Sequence, residues 1–182
     1  MVDRAAELLR GASTAVALTG AGVSAESGIP TFRGEGGLWT KYDPVKVSSI
    51  DSFLADPASY WQVSKARGNI ALAARPNPGH EALAAMETAG RLVAVITQNT
   101  DGLHQAAKSR RVIELHGSGR TVECLECGAR ESRADVQARL DLEMPPRCKS
   151  CGGGVLKPTV VLFGEPMPVD AVNEALELAR VA

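Results

Sequence analysis

The sequence has almost no net charge, no long apolar run and no cysteine outside one cluster, and each absence excludes a class of function. The formal net charge of −1 and the lack of long runs of like charge give no reason to expect a nucleic-acid partner. No stretch approaches the roughly 18 apolar residues of a membrane span, and the first residues do not resemble a signal peptide. We therefore predict a cytoplasmic protein with no membrane partner.

The length and composition predict a folded unit of moderate size. Of the 182 residues, 45% are hydrophobic and 23% are charged, as in ordinary globular proteins. This length suffices for one sizeable core, or for one main domain with a small appended module.

The hydrophobic pattern predicts an α/β fold. Three apolar runs without polar alternation are typical of strands buried on both faces: 15–19 (AVALT), 92–97 (LVAVIT) and 112–115 (VIEL). Apolar residues at helical spacing over 5–9, and a helix over 81–86 after the breaker at 76–79, accompany these strands. Alternating strands and helices predict a doubly wound, Rossmann-like parallel sheet.

Two inserts interrupt this plan. Residues 42–75 have the pattern of helices, whereas residues 121–154 contain all the cysteines, and we expect few strands there. We predict that the two inserts form a smaller lobe beside the sheet.

The cysteines follow the single pattern Cys-x2-Cys-x20-Cys-x2-Cys, formed by Cys124, Cys127, Cys148 and Cys151. Two such knuckles let four thiolates surround one ion tetrahedrally, and Gly128 and Gly152 suit the tight turn after each. We predict one structural Zn²⁺, because four thiolates leave no open position for water or substrate. Disulfides are the alternative, which a reducing compartment and such short loops disfavour.

Glycine-rich and polar runs follow the predicted strands, where open α/β sheets bind ligands. Residues 19–24 (TGAGVS) are typical of a phosphate-binding loop, although by themselves they fit an ordinary strand-to-helix turn equally well. The other runs are 27–34 (SGIPTFRG), 98–104 (QNTDGLH) and 114–117 (ELHG).

These runs, in this order and followed by the cysteine quartet, resemble the signatures of the sirtuin family, as does 156–165 (LKPTVVLFGE). The resemblance covers nearly the whole chain. It implies an NAD-dependent protein lysine deacetylase that moves the acyl group from lysine to ADP-ribose and releases nicotinamide. The resemblance implies five parts. They are a first Rossmann-like part (1–41), a helical insert (42–79), a second Rossmann-like part (80–120), a zinc module (121–154), and a substrate-binding segment that begins the last Rossmann part (155–182).

The resemblance also implies a mechanism and a set of site residues. In sirtuins the acyl-lysine oxygen attacks the ribose carbon that bears nicotinamide, and a histidine base then activates a ribose hydroxyl. An imidazole suits that task because it titrates near neutrality. The catalytic residues would be His116, Asn99 and Asp101. The residues that bind NAD would be Gly20, Ala21, Gly22, Phe32, Arg33, Gln98, Asn99 and Asp101. The acyl-lysine protein or peptide, paired as an added strand, would contact Val160, Phe163 and Gly164.

Some of these residues have simpler interpretations. His116 would also fit as a hydrogen-bonded core histidine, and Asn99 and Asp101 as turn residues. We expect structural roles for four further residues: His80, His104, Trp39 and Trp61.

The acyl group is predicted to be acetyl. Sirtuins that remove acidic acyl groups carry a Tyr-x-x-Arg pair before the Pro-Asn-x-x-His run, and Arg67 matches its arginine. Ser64 stands at the tyrosine position. The loss of one of two carboxylate donors argues against succinyl-lysine or malonyl-lysine.

The end of the chain departs from the family pattern. Val172, Leu176 and Ala179 predict one apolar helix face, and the sequence stops at Ala182. Sirtuins continue with a strand that lies beside the first one and with further contacts to NAD. We therefore expect a truncated sirtuin that need not be stable or active alone. A non-catalytic module that binds acyl-lysine peptide and zinc, and a mono-ADP-ribosyltransferase, are the alternative functions.

Overall fold

The computed structural model describes residues 2–33, 37–40 and 42–182. Gly34, which ends the second polar run, and the predicted boundary at 41 lie outside these residues. The helices are α1 Val2–Gly11, α2 Pro44–Ser48, α3 Ile50–Ala55, α4 Pro57–Ala73, α5 Pro78–Thr88, α6 Leu103–Ala106, α7 Arg133–Gln137 and α8 Val169–Val181, with 3-10 helices at Ala21–Ser27 and Leu38–Thr40. Across the described ranges, no helix combines the length and apolarity needed to cross a membrane.

The predicted parallel sheet is confirmed. Its strands are β1 Val16–Thr19, β2 Ala94–Thr97 and β3 Val112–Glu114, in the order β1-β2-β3. All four residues of the central strand β2 are buried, as its continuous apolar sequence predicts. Within the described residues β1 is an edge strand, and Leu18 on it is 67% exposed.

The register of this sheet brings the strand ends together. Thr19 pairs with Thr97, and Thr97 pairs with Glu114, so the three strands finish at one level. The polar runs that follow β1, β2 and β3 therefore begin at a common edge. Helix α8 packs on one face through Ala175, which lies in a buried cluster with Ala94, Ile96 and Ile113.

A second sheet forms around residues 121–154, where seven of the 34 residues are in strands, in line with the expectation of few strands there. Strands β4 Gly117–Cys124, β5 Arg130–Ser132 and β6 Leu156–Val160 form an antiparallel sheet in the order β5-β4-β6. Strand β4 also crosses the predicted boundary at 120. Its first half (GSGR) has poor strand propensity, so only pairing with distant residues makes it a strand.

The predicted smaller lobe forms around one apolar cluster. Phe53 and Trp61 from the helical insert pack with Val122, Val136 and Leu156 from the region of the second sheet. Trp61 is fully buried, and its indole N–H donates to the backbone oxygen of Leu156 at 2.9 Å. The expectation that Trp61 is a packing residue therefore agrees with the structure.

Candidate active site and metal centre

A cleft of about 860 Å³ lies between the ends of the parallel strands and the smaller lobe. It brings together almost all of the predicted site residues: Ala21, Gly22, Phe32, Arg33, Gln98, Asn99, Asp101, His116, Val160, Phe163 and Gly164. Gly20 does not line the cleft. Its backbone oxygen instead accepts a hydrogen bond from Asn99 Nδ2 at 3.0 Å.

The sequence analysis missed Ser24, which is the centre of the polar network under the cleft. Its buried hydroxyl donates to Asp101 Oδ2 at 2.7 Å and accepts from Asn99 Nδ2 at 3.1 Å. His80 Nδ1 accepts the backbone N–H of Asn77, so His80 Nε2 carries the proton and points at Ser24 Oγ, 3.4 Å away. The only sequence signal was its place in the 19–24 run.

This network fixes Asn99 and Asp101, two of the polar side chains predicted to bind the cofactor. Asn99 uses both amide hydrogens on Gly20 and Ser24, which leaves its Oδ1 free to accept from a ligand. Asp101 Oδ1 accepts the backbone N–H of Leu103 at 2.9 Å, so Asp101 also stabilises the start of α6. The turn role and the cleft role therefore coexist in Asp101.

A buried layer below the network holds His104 neutral. Thr19 Oγ1 donates to Thr97 Oγ1 at 2.8 Å and so accepts from His104 Nε2 at 3.0 Å. His104 Nδ1 then lacks a proton and has no hydrogen-bond partner among the described residues. Burial, followed by the nearby His80 ring, lowers the pKa of His104 to about 4.

Burial also lowers the pKa of His80, and Asp101 partly opposes that shift. The rings of His80 and His104 lie 4.8 Å apart, and neither lines the cleft. The structural roles expected for both histidines agree with this placement.

His116 has the geometry of a base. Its Nδ1 lies 3.0 Å from the backbone oxygen of Gln98, which can only accept, so Nδ1 carries the proton. In the neutral form of this tautomer Nε2 is the ring nitrogen that can accept a proton, and His116 lines the cleft. The half-buried ring does not fit the alternative of a core histidine.

The glycine run leaves space that the protein itself does not need. A Cβ at Gly20 or Gly22 would meet no atom within 4 Å, and neither residue has a positive φ. Neither crowding within the protein nor backbone conformation therefore requires glycine here. Room for a ligand against the backbone of Gly22, which lines the cleft, does explain it.

The segment after β6 is hydrogen-bonded to His116 and to the smaller lobe. Val161 N–H donates to the backbone oxygen of His116 at 2.9 Å. Phe163 N–H donates to Ser48 O and Phe163 O accepts from Ile50 N, both at 2.9 Å, so the Phe163 N–H is not free to bond to a peptide. Gly117 is required for the pairing of β4 with β6, because a Cβ at this position would collide with the backbone oxygen of Thr159.

Trp39 lines the cleft, which its expected packing role did not include. Its ring stacks on Phe32 with centroids 5.2 Å apart and lies 6.1 Å from Phe163. The Arg67 guanidinium, which also lines the cleft, lies 5.3 Å from the Phe32 ring centroid.

The four cysteines form a metal site of the predicted kind. Their sulfur atoms all lie within 4.8 Å of one another. The pairs Cys124–Cys151 and Cys127–Cys148 are each 3.7 Å apart. Tetrahedral coordination with Zn–S bonds of about 2.3 Å places sulfur atoms about 3.8 Å apart, so one Zn²⁺ fits. The same separations are too long for disulfides.

The backbone supports this site at the predicted turns. Gly128 and Gly152 have φ of 70° and 80°, as the tight knuckle turns require. Ser150 N–H and Gly154 N–H point at the sulfurs of Cys148 and Cys151 at 3.3 and 3.4 Å.

Comparisons with known proteins place this architecture in one family. The Sir2 family model matches residues 20–182. The chain is 49% identical to NAD-dependent protein deacylase 2 of Archaeoglobus fulgidus, with 98% of this chain and 70% of the relative covered. It is 52% identical to an NAD-dependent protein deacetylase of Haloarcula marismortui, again with 98% and 70% covered. The chain therefore belongs to the Sir2 family, the sirtuins.

Solved structures agree. A Sir2 enzyme structure with 49% identity has a TM-score of 0.88 over 98% of this chain and 72% of its own. A Sir2–p53 peptide–NAD⁺ complex with 38% identity has a TM-score of 0.89 over 98% and 71%.

Proposed function

We propose that this chain is an NAD-dependent protein lysine deacetylase, which transfers the acyl group from lysine to ADP-ribose and releases nicotinamide. The observation that carries the proposal is one cleft lined by the base His116, the polar pair Asn99 and Asp101, and the apolar residues Val160 and Phe163. The names of the relatives, protein deacylases and deacetylases that use NAD, support the same activity.

NAD supplies the electrophilic ribose carbon and the nicotinamide leaving group. The open backbone at Ala21 and Gly22 would receive its phosphates, and Phe32 and Arg33 would cover it. Gln98 and Asp101 would bind the ribose and the nicotinamide amide together with the free Oδ1 of Asn99. Ser24 holds the side chains of Asn99 and Asp101 in place through hydrogen bonds.

His116 would act as the general base. The Gln98 carbonyl orients the ring, and the bare Nε2 would accept a proton from a ribose hydroxyl. This role explains why the ring is half-buried in the cleft rather than sealed in the core.

Val160, Phe163 and Gly164 would bind the acyl-lysine. A neutral acyl-lysine loses its water cheaply in an apolar channel, whereas a charged lysine does not. Val161 O and Gly164 N–H have no backbone partner among the residues described, so a peptide strand could bond there.

Acetyl-lysine remains the proposed substrate. The Ser64 hydroxyl, at the position of the missing tyrosine, already accepts from Arg133 at 3.1 Å. Arg67 favours a second candidate, an acidic acyl group, because it lines the cleft and takes part in none of the ion pairs between described residues. The zinc site would be structural, and a cytoplasmic location stays a prediction from the sequence.

The test is nicotinamide release by the purified zinc-loaded chain, with NAD and one peptide carrying acetyl-lysine or succinyl-lysine. We expect release with the acetyl peptide, a rate at least about 100-fold lower for His116→Ala, and slower release with the succinyl peptide. Equal rates on both peptides would contradict the acetyl preference. Peptide binding without release would select the binding module, and labelled ADP-ribose retained on protein would select ADP-ribosyl transfer.

A further inference from the structure

Lys157 is a buried lysine that the proposed chemistry does not use. It lies on β6 with 8% of its surface exposed. Its ammonium group contacts Glu165 Oε2 at 2.9 Å, Val160 O at 3.0 Å and Pro158 O at 3.3 Å. Three acceptors thus surround the three donors of one ammonium group.

Glu165 lies at the other end of the segment 157–165 and is bonded to its backbone. Its Oε2 accepts the backbone N–H of Leu162 at 2.8 Å, and its own N–H donates to Leu162 O at 3.0 Å. The side chains of Lys157 and Glu165 are 10% and 23% exposed, whereas the Arg111–Glu174 pair is 47% and 43% exposed. A pair this buried is costly to break, because either partner alone leaves a charge in a poorly hydrated place.

The segment that this pair encloses carries the predicted peptide contacts. Val160, Phe163 and Gly164 lie between the two charges and line the cleft. Strand β6 ends at Val160, and beyond it the backbone bonds of Val161 to His116 and of Phe163 to Ser48 and Ile50 replace the β4–β6 ladder. The ion pair adds a side-chain link along this segment, because it joins Lys157, the second residue of β6, to Glu165 at the end of the segment.

We propose that Lys157 and Glu165 are positioning residues, a clamp that fixes the backbone of residues 160–164 and thereby sets the affinity for acyl-lysine peptide. This inference rests on the proposed function, because it takes the cleft beside this segment to be the peptide site. It predicts that the clamp acts on peptide and not on NAD, since the Gly20–Gly22 loop makes no contact with either charge.

The test measures the Kd of a fluorescein-labelled acetyl-lysine peptide by anisotropy, and of NAD by calorimetry, with the zinc-loaded full chain. The variants are Lys157→Met, Glu165→Gln and the charge-free double variant. Lys65→Met is the matched control, because Lys65 pairs with Asp141 outside the cleft. The double variant matters most, since it leaves no unpaired buried charge and should fold even where a single variant does not.

For the double variant we expect peptide Kd to rise at least about tenfold and NAD Kd to stay within about twofold. Lys65→Met should match the wild type for both ligands. A double variant that binds peptide as the wild type does, or that loses peptide and NAD affinity equally, would overturn the clamp, as would a wild-type chain that binds no peptide. Peptide binding without nicotinamide release would contradict deacetylation alone and leave this test decisive.

Discussion

At the scale of single residues, the histidines of this site differ because their surroundings differ. His116 keeps one ring nitrogen bare in the cleft, whereas His104 is sealed below it against Thr19 and His80. Sequence spacing alone does not separate these cases. What distinguishes His104 is its burial and its hydrogen bond to the hydroxyl of Thr19, which the strand register places beside Thr97.

His104 should make the fold sensitive to mild acid. Its native pKa of about 4 lies below the value of about 6.5 expected in the unfolded chain. The unfolded state therefore binds more protons between these values, so stability is complete above pH 6.5 and falls as pH decreases towards 4. The loss should be at most about 3 kcal/mol from this residue.

Urea unfolding at pH 7.5, 6.0 and 5.0 measures this effect, with His104→Gln as the comparison. The glutamine can still donate to Thr19 but cannot titrate, so its stability should fall less with pH. Some dependence should remain, because burial lowers the pKa of His80 in the same direction. Identical pH slopes for both proteins would show that His104 does not titrate in this way.

At the scale of elements, the zinc knuckles support more than their own turns. Cys124 and Cys148 belong to the apolar cluster that contains Phe53 and Trp61. Gly154 is also required for close packing, because a Cβ there would collide with the Cys124 sulfur. Loss of the ion should therefore loosen the helical insert as well as the loops around it.

Zinc removal tests this coupling. We expect one Zn²⁺ per chain. A strong chelator or Cys127→Ser should abolish the contribution of Trp61 to the near-ultraviolet circular dichroism, because structural zinc contributes on the order of 10 kcal/mol to local folding. Ser150→Ala, which alters the neighbouring knuckle without removing a ligand, should keep its metal and its spectrum. A metal-free chain with an unchanged spectrum would rule out this structural role.

The elements also show what the sequence could predict. Strands β1 and β2 and the cysteine site were predictable because continuous apolar runs and fixed cysteine spacing are local signals. The sheet formed by β4, β5 and β6 was not, because Gly117 and Gly119 weaken the strand pattern and because β4 pairs with β6 across more than 30 positions of the chain. Motifs placed the site residues in one cleft, but the hydrogen bonds that meet at Ser24 join residues more than 50 positions apart.

At the scale of the whole molecule, the two inserts form one lobe because polar contacts join them beside their shared apolar cluster, and the Arg133 guanidinium makes several of these contacts. Arg133 of α7 donates to the Ser64 oxygen atoms on α4 at 2.9 and 3.1 Å, and lies 4.8 Å from the Trp61 ring centroid. Burial lowers the pKa of Arg133, yet the group has enough acceptors to remain charged. Gly68 on α4 leaves the space through which it passes.

Gly68→Ala should separate these inserts. A Cβ at residue 68 would collide with both the Arg133 guanidinium and the Gln137 side-chain oxygen. Alanine should gain about 1 kcal/mol in helix propensity, but overpacking and the displaced Arg133 should cost about 2–4 kcal/mol, so the net effect is destabilising.

Gly11→Ala at the end of α1 is the matched control. A Cβ there meets nothing within 4 Å, so this substitution should leave the free energy of unfolding within about 0.5 kcal/mol of the wild type. Thermal unfolding measures both, and peptide affinity should fall only for Gly68→Ala, since Ser64 and Arg133 line the cleft. Equal stability of the two variants would mean that Arg133 can move aside, and that the lobe is held by its apolar cluster alone.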